Sequence, residues 1–277
     1  MTPEHDFTQP AAIVRHIVAS LASIDRLEQL WARGIVHAGG PHYRLSGTTG
    51  PISIGEDECL LLGQVIARFK PSNCFILGNG FGLSSAFVAM MMEASGGRSV
   101  VTLDDLSEGD GRRCFETAEE LRHRLDCRIL RNQRGTSPRD LNRAVDSVSY
   151  DLVFIDGDHS HPQVIDDCRG LQPLLRADSI LCWHDYWLRG VSESVAEAER
   201  TGYRCLKVNS SSEMAFGTRD DAVFRAIAAL FPDAEAPPVR RRHPLARLTL
   251  SRSYLWGTIK ARLSAKERPS FKQRPAR

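Results

Sequence analysis

No stretch of about 18 or more apolar residues occurs in this 277-residue chain, so no membrane-crossing helix is expected. The N-terminus carries Glu4, His5 and Asp6 rather than a basic region before an apolar one, and it does not read as a signal peptide. The seven cysteines include no C-x-x-C pair, and Cys74 and Cys182 lie inside apolar runs. They read as reduced, buried thiols of a cytoplasmic protein. Internal repeats are absent, and no nucleic-acid recognition motif accompanies the basic residues, so nucleic acid is not an expected partner. What the chain does have is 42% hydrophobic residues, enough to bury one large α/β core with appendages.

The stretch from Asn73 to Met92 is the most informative. A short apolar run, Phe75 to Leu77, meets Gly78, Gly80 and Gly82, and an apolar helix-like run follows. That order predicts a strand, a glycine turn and a helix. Glycine takes positive φ and has no Cβ, so a ligand can lie against the turn. The N–H groups opening the next helix favour negative charge there, which makes a nucleotide-like cofactor the first expectation. Dinucleotide folds use G-x-G-x-x-G, but the position three beyond Gly80 is Leu83.

Acidic strand ends follow. Ser99 to Leu103 reads as a second strand closing in Asp104-Asp105, where a fixed carboxylate can accept ribose hydroxyls; a solvated turn is the alternative. Cys127 to Leu130 is the next strand candidate, followed by the small polar segment Gly135-Thr136-Ser137. Asp151 to Ile155 has the continuous apolar character of a strand buried on both faces and ends in Asp156-Gly-Asp-His159-Ser-His161. A helix is predicted from Pro162 to Leu175, and then a strand from Ser179 to Trp183 ending in His184-Asp185-Tyr186-Trp187. Asp158 and His161 can equally cap or solvate the start of that helix. Trp183, Tyr186 and Trp187 suit either a substrate pocket or core and rim packing. In an open α/β sheet ligands sit at the carboxyl ends of the strands, where both carboxylate–imidazole groups fall.

The G-x-G-x-G spacing resembles motif I of the class I S-adenosylmethionine-dependent methyltransferases. Phe154-Ile-Asp-Gly-Asp-His159, followed by His184-Asp-Tyr-Trp187, resembles the bacterial small-molecule and sugar O-methyltransferases related to catechol O-methyltransferase. The resemblance spans roughly residues 50 to 220. It implies S-adenosylmethionine bound against Gly78, Asn79, Gly80 and Gly82, with Asp104 and Asp105 at the ribose, Thr136 and Ser137 along the adenine edge, and Asp156 beside it. It further implies a divalent ion, Mg²⁺ or Mn²⁺, held by Asp156, His184 and Asp185. His159 is then the base that takes the hydroxyl proton, with Asp156 as its catalytic partner.

Two positions depart from the family. Ile76 stands where motif I usually begins with an acidic residue, so one polar contact is missing or supplied from elsewhere. His184 stands where a carboxylate is common, and imidazole is unfavourable in a Mg²⁺ shell. Three arrangements stay open: Asp156 and Asp185 hold Mg²⁺ with waters, a softer metal binds, or no metal binds and His184 does acid–base work. The rival functions are a nicotinamide oxidoreductase, opposed by Leu83, and a non-catalytic binding protein on the same fold. An Asp-x-Asp also occurs in metal-using glycosyltransferases, a reading that the glycine turn opposes.

The alternation predicts an α/β fold: a Rossmann-like, doubly wound, mostly parallel sheet with a terminal antiparallel hairpin at Tyr203–Val208 and Glu213–Gly217. Residues 1–49 are expected to form an N-terminal helix and cap loop, 50–232 the main domain and 233–277 a tail. The helix candidate runs over residues 10 to 34, with Ile13, Ile17, Leu21, Ile24, Leu27 and Leu30 on one face; Gly39 to Gly55 reads as a mobile loop. From residue 239 there are twelve basic residues against Glu267 alone, so the tail carries +11 and the rest of the +2 chain −9. Leu245, Leu248, Leu255, Trp256, Ile259 and Leu263 fall near helical spacing, which makes a basic amphipathic helix suited to an anionic membrane surface. That would place the protein in the cytoplasm or at the inner face of the membrane. Docking on the acidic body and a disordered solubilising tail are the alternatives. Sugar hydroxyl, phenol and lipid-linked glycan remain open as acceptors, and oligomeric state is open too.

Overall fold

Buried apolar side chains alternate between the two sides of one central sheet, as strands covered on both faces require. The computed structural model describes residues 10–22, 36–39, 42–45, 54–106, 111–144 and 149–237. Its elements begin with α1 (Pro10–Ala22), a hairpin of β1 (Val36–Gly39) and β2 (His42–Leu45), and α2 (Glu56–Phe69). Then come β3 (Asn73–Leu77), α3 (Leu83–Ala94), β4 (Ser99–Asp104), α4 (Gly111–Arg124), β5 (Leu130–Arg134) and α5 (Leu141–Ala144). The second half holds β6 (Tyr150–Ile155), α6 (His161–Leu171), β7 (Leu175–Trp183), α7 (Arg189–Arg200), β8 (Arg204–Val208), β9 (Met214–Thr218) and α8 (Asp221–Leu230).

The seven-stranded sheet has the order β5-β4-β3-β6-β7-β9-β8. The first five strands in that order pair in parallel, and β9 runs antiparallel to both β7 and β8. The expected doubly wound sheet with a terminal antiparallel hairpin is therefore present. Cys74, Ile76, Leu152, Phe154, Ile180 and Cys182 point to one side, where they pack with α1, α2, α3, α4 and α8. Phe75, Leu77, Val153, Ile155, Leu181 and Trp183 point to the other side, against α6 and α7. All seven cysteines are buried and free, Cys74 and Cys182 inside the apolar strands β3 and β7.

Three sequence expectations need correcting. The strand placed at Cys127–Leu130 is β5, three residues later; it is an edge strand of polar composition, so hydrophobicity does not mark it. The helix expected to run to Leu175 ends at Leu171, and a single 3₁₀ turn containing Pro173 leads directly into β7, four residues before the predicted strand start. Part of the segment read as a loop from Gly39 to Gly55 is the second strand of the β1–β2 hairpin. Of the N-terminal helix, α1 carries buried Ile13 and Ile17, while Ile24, Leu27 and Leu30 lie outside the described residues, as does the basic tail.

The chain reverses its winding between β3 and β6, and the two loops leaving these strands touch. Gly78 has φ +83°, and a Cβ there would overlap the Asp156 carbonyl oxygen. Gly96 has φ +84° but open space around it. Gly96→Ala should therefore cost only the backbone preference, about 1 kcal/mol, and Gly78→Ala about 1–3 kcal/mol more from overpacking. Urea midpoints at unchanged m-value measure this; equal losses at the two sites would contradict the close approach.

Candidate active site

Parallel pairing continues one residue beyond each central strand. Gly78 N donates to Leu103 O (2.9 Å), Asp156 N to Leu77 O (2.9 Å) and His184 N to Ile155 O (3.1 Å). The register Leu103–Leu77–Ile155–Trp183 thereby sets Asp104, Gly78, Asp156 and His184 side by side along the carboxyl edge. With strands about 4.8 Å apart, this row spans roughly 15 Å.

At one end stands the glycine turn. Gly78, Gly80 and Gly82 all have positive φ, and a Cβ on Gly82 would press on Ala118 of α4. Asp104 holds the turn in place: its Oδ2 accepts from Asn79 N (2.8 Å) and Gly80 N (3.1 Å), and its Oδ1 from Leu106 N (2.7 Å). Ile76 is fully buried, so Asp104 is the acidic group that fixes this loop. The Asn79 side chain turns inward, donating to Asn132 Oδ1 (3.1 Å) and accepting from Ser85 Oγ (2.6 Å). Asn132 in turn accepts from Thr102 Oγ1 and donates to Glu119. Asn132 and Glu119 escape sequence reading because they lie in polar elements with no motif around them.

Beside this turn, Asp105, Gln133, Arg134, Gly135, Thr136, Arg139, Asp140 and Arg143 line a cleft of about 380 Å³. The cleft lies at the carboxyl ends of β4 and β5. Asp105 and Thr136, two of the residues singled out in the sequence, are among its lining. Ser137 is turned away, with its carbonyl accepting from Gln163 Nε2 (2.6 Å) and its hydroxyl toward the buried Asp167 carboxyl.

At the other end, Asp156, His159, His184 and Asp185 come together. His184 Nδ1 lies 2.8 Å from Asp156 Oδ1 and 3.5 Å from Asp185 Oδ2. His159 Nε2 lies 3.9 Å from Asp156 Oδ1 and 3.6 Å from Asp185 Oδ2. Both ring nitrogens are buried, and among the described residues neither has an in-line hydrogen-bond partner. They are drawn to the carboxylates by charge without being saturated by them. Ligand atoms of Asp156, His159 and His184 all lie within 4.8 Å of one another, a donor set that fits a divalent ion.

Electrostatics within the cluster are mutual. Burial alone would lower the His184 pKa, but the carboxylates of Asp156, Asp185 and Glu58 hold it well above the usual imidazole range. Burial would raise Asp185, yet His184, His159 and the Trp187 N–H hold it below the usual carboxylate value. Asp185 sits at φ +56°, a left-handed conformation that Asp tolerates better than most residues. Trp187 Nε1 donates to Asp185 Oδ1 (3.0 Å), and its ring is the exposed large apolar surface at the rim, while Trp183 and Tyr186 are core. Gly190 at the start of α7 packs directly on the His159 carbonyl, where a Cβ would overlap it. Asp158 stands apart, accepting from Ser160 N (2.8 Å) ahead of α6, and His161 pairs with Glu193 at the surface.

Asp167, beneath the Ser137 loop, is pushed up to about 6, chiefly by burial, with the hydrogen bond from Gln163 Nε2 (2.7 Å) acting the other way. The folded state then binds this proton more tightly than the unfolded chain. Stability should fall as pH rises from 3.8 to about 6, by on the order of 3 kcal/mol at most. Asp167→Asn should flatten that part of the stability–pH curve measured by denaturation; an unchanged slope would contradict the assignment.

A family model described as a methyltransferase domain matches residues 76–186. No curated protein sequence matches the chain. Among solved structures, the Podospora anserina methyltransferase PaMTH1, bound to S-adenosylhomocysteine, shares the fold with a TM-score of 0.54 at 12% identity, over 76% of this chain and 88% of that one. An O-methyltransferase from Bacillus cereus in complex with S-adenosylhomocysteine gives 0.53 at 15% identity, over 72% and 90%. The O-methyltransferase TomG of Streptomyces achromogenes, involved in tomaymycin synthesis and bound to S-adenosylmethionine, gives 0.51 at 14% identity, over 61% and 82%. Residues 76–186 thus match a methyltransferase-domain model, and the sheet that carries them shares the fold of these S-adenosylmethionine-dependent methyltransferases.

Proposed function

We propose that this chain transfers the methyl group of S-adenosylmethionine to a hydroxyl oxygen of a small-molecule acceptor. The observation that carries the reading is the single row Asp104–Gly78–Asp156–His184, which joins a nucleoside-sized cleft to an acid–base cluster on one sheet edge. The sulfonium of the donor supplies an already activated methyl group, so the protein's task is alignment of the attacking oxygen. Gly78 and Gly82 let the turn pack closely on Asp156 and α4, which shapes the backbone against which the donor would lie. Asp104 presents its Oδ1 to the ribose hydroxyls while its Oδ2 holds the turn. Asp105 and Thr136 face the base.

His159 takes the acceptor's hydroxyl proton at Nε2, the ring nitrogen without an in-line partner. Asp156 and Asp185 flank that nitrogen and stabilise the imidazolium it becomes. Asp156, Asp185 and His184 are the residues that would hold a divalent ion, which would lower the pKa of an acceptor hydroxyl. Three carboxylates, Asp156, Asp185 and Glu58, converge on two imidazoles, and a cation relieves their repulsion. The +11 tail suits an anionic surface, so lipid-linked glycans belong to the same proposal as soluble sugars and phenols.

Radiolabelled methyl transfer to a library of sugars, phenols and glycolipids tests the reading; S-adenosylhomocysteine must appear together with a methyl ether, and methylation confined to nitrogen or carbon would refute it. Asp104→Ala should weaken S-adenosylhomocysteine binding roughly ten-fold or more, since a charged hydrogen-bond partner contributes about 1.5–3 kcal/mol; unchanged calorimetric affinity in a folded variant rejects that role. His159→Ala should lower turnover by about 10²- to 10⁴-fold with donor affinity nearly intact. Near-full activity would make His159 structural. After exhaustive chelation, Mn²⁺ should restore turnover better than Mg²⁺, whereas full activity of the chelated protein would end the metal assignment.

A further inference from the structure

Glu58 lies outside the matched domain, on the first turn of α2, and is fully buried. Its carboxylate has four partners. Oε2 accepts from Gly55 N (2.8 Å) and faces His184 Nε2 (2.9 Å). Oε1 accepts from Ser212 N (2.9 Å) and Ser210 Oγ (3.0 Å), both in the turn between β8 and β9. A carboxylate offers about four lone-pair positions, and here each is spoken for. Two of the donors are backbone N–H groups on opposite oxygens, so neither oxygen has room to carry a proton of its own. The ring nitrogen facing Glu58 must therefore be the donor. His184 is left with Nδ1 as the nitrogen directed at Asp156, Asp185 and His159.

We propose that Glu58 is a positioning residue that fixes the His184 ring with Nε2 as the donor to Glu58, so that Nδ1 is the nitrogen offered to the Asp156–His159–Asp185 cluster and biases it toward Mn²⁺ or Zn²⁺ over Mg²⁺. The bias rests on the metal reading above; the ring orientation does not. A second partner on a metal-binding imidazole fixes its tautomer and raises its basicity. Glu58 does this from 126 residues away in sequence. It also ties α2 and the serine-rich β8–β9 turn to the carboxyl end of β7, with Asp57 beside it holding Ser211 N (2.7 Å).

Long-range ¹H–¹⁵N correlation spectra of the full-length ¹⁵N-labelled protein test the orientation directly. In the metal-free protein at alkaline pH, His184 should show a protonated Nε2 and a pyridine-like Nδ1, and added Zn²⁺ should shift Nδ1. A protonated Nδ1, or a Zn²⁺-induced shift of Nε2, overturns the proposal. For the bias, Glu58→Gln places an amide NH₂ against existing donors whichever way it is turned. It should weaken Mn²⁺ binding in calorimetry by about 10- to 100-fold, the usual effect of losing such a partner. Ser210→Ala, which leaves the Glu58–His184 contact in place, should bind Mn²⁺ like the parent. Parental Mn²⁺ affinity in a folded Glu58→Gln variant also overturns the proposal, and if that variant does not fold, the spectra of the parent protein decide. Absence of methyl transfer alongside a protonated Nε2 would remove the methyltransferase reading and leave the role of Glu58 standing.

Discussion

The site depends on one constraint, the unbroken parallel register across β4, β3, β6 and β7. Because side chains alternate along each strand, the row after Leu103, Leu77, Ile155 and Trp183 faces the opposite side of the sheet from that row. It carries Asp104, nothing at Gly78, Asp156 and His184. A slip of one residue in any of the three pairings would exchange core and site side chains together. The apolar residues buried on both faces make such a slip costly, and so the hydrophobic core sets the geometry of the polar edge.

The polar edge itself is held by partners that leave little freedom. Asp104 is fixed by three backbone N–H groups, and the glycine turn rests on the chain of hydrogen bonds from Ser85 through Asn79 and Asn132 to Glu119. At the far end Glu58 anchors His184, and Gly190 admits α7 close to the His159 backbone. Burying several charges is costly unless they are paired and hydrogen-bonded. The cluster meets that condition everywhere except at His159 Nε2 and His184 Nδ1, the two atoms that face one another's carboxylates. Unsatisfied groups in an otherwise saturated network mark where a ligand or a proton has to go.

Much of this was legible in the sequence because it is local. The glycine spacing, the apolar strands and the Asp/His pairs at their ends all fall within a few residues of one another, and the fold places them where the alternation predicts. β5 was misplaced because an edge strand reading Leu-Arg-Asn-Gln-Arg has no apolar run to mark it. Pro173 was visible, but the speed of the passage from α6 to β7 was not, since only packing decides whether a loop is needed there. Glu58 was illegible for a different reason. Its partners lie in α2's own N-terminal turn, at the end of β7 and in the β8–β9 turn, so no spacing rule connects them. The inward turn of Asn79 and Ser137 likewise follows from tertiary partners.

The most direct test of the account is a crystal structure of the protein grown with S-adenosylhomocysteine and Mn²⁺, read by anomalous scattering. The account predicts the nucleoside in the cleft beside Asp105 and Thr136, the ribose against Asp104, and a manganese peak between Asp156, His184 and Asp185. A nucleoside bound away from the glycine turn, or anomalous density absent from that cluster at saturating Mn²⁺, would contradict it.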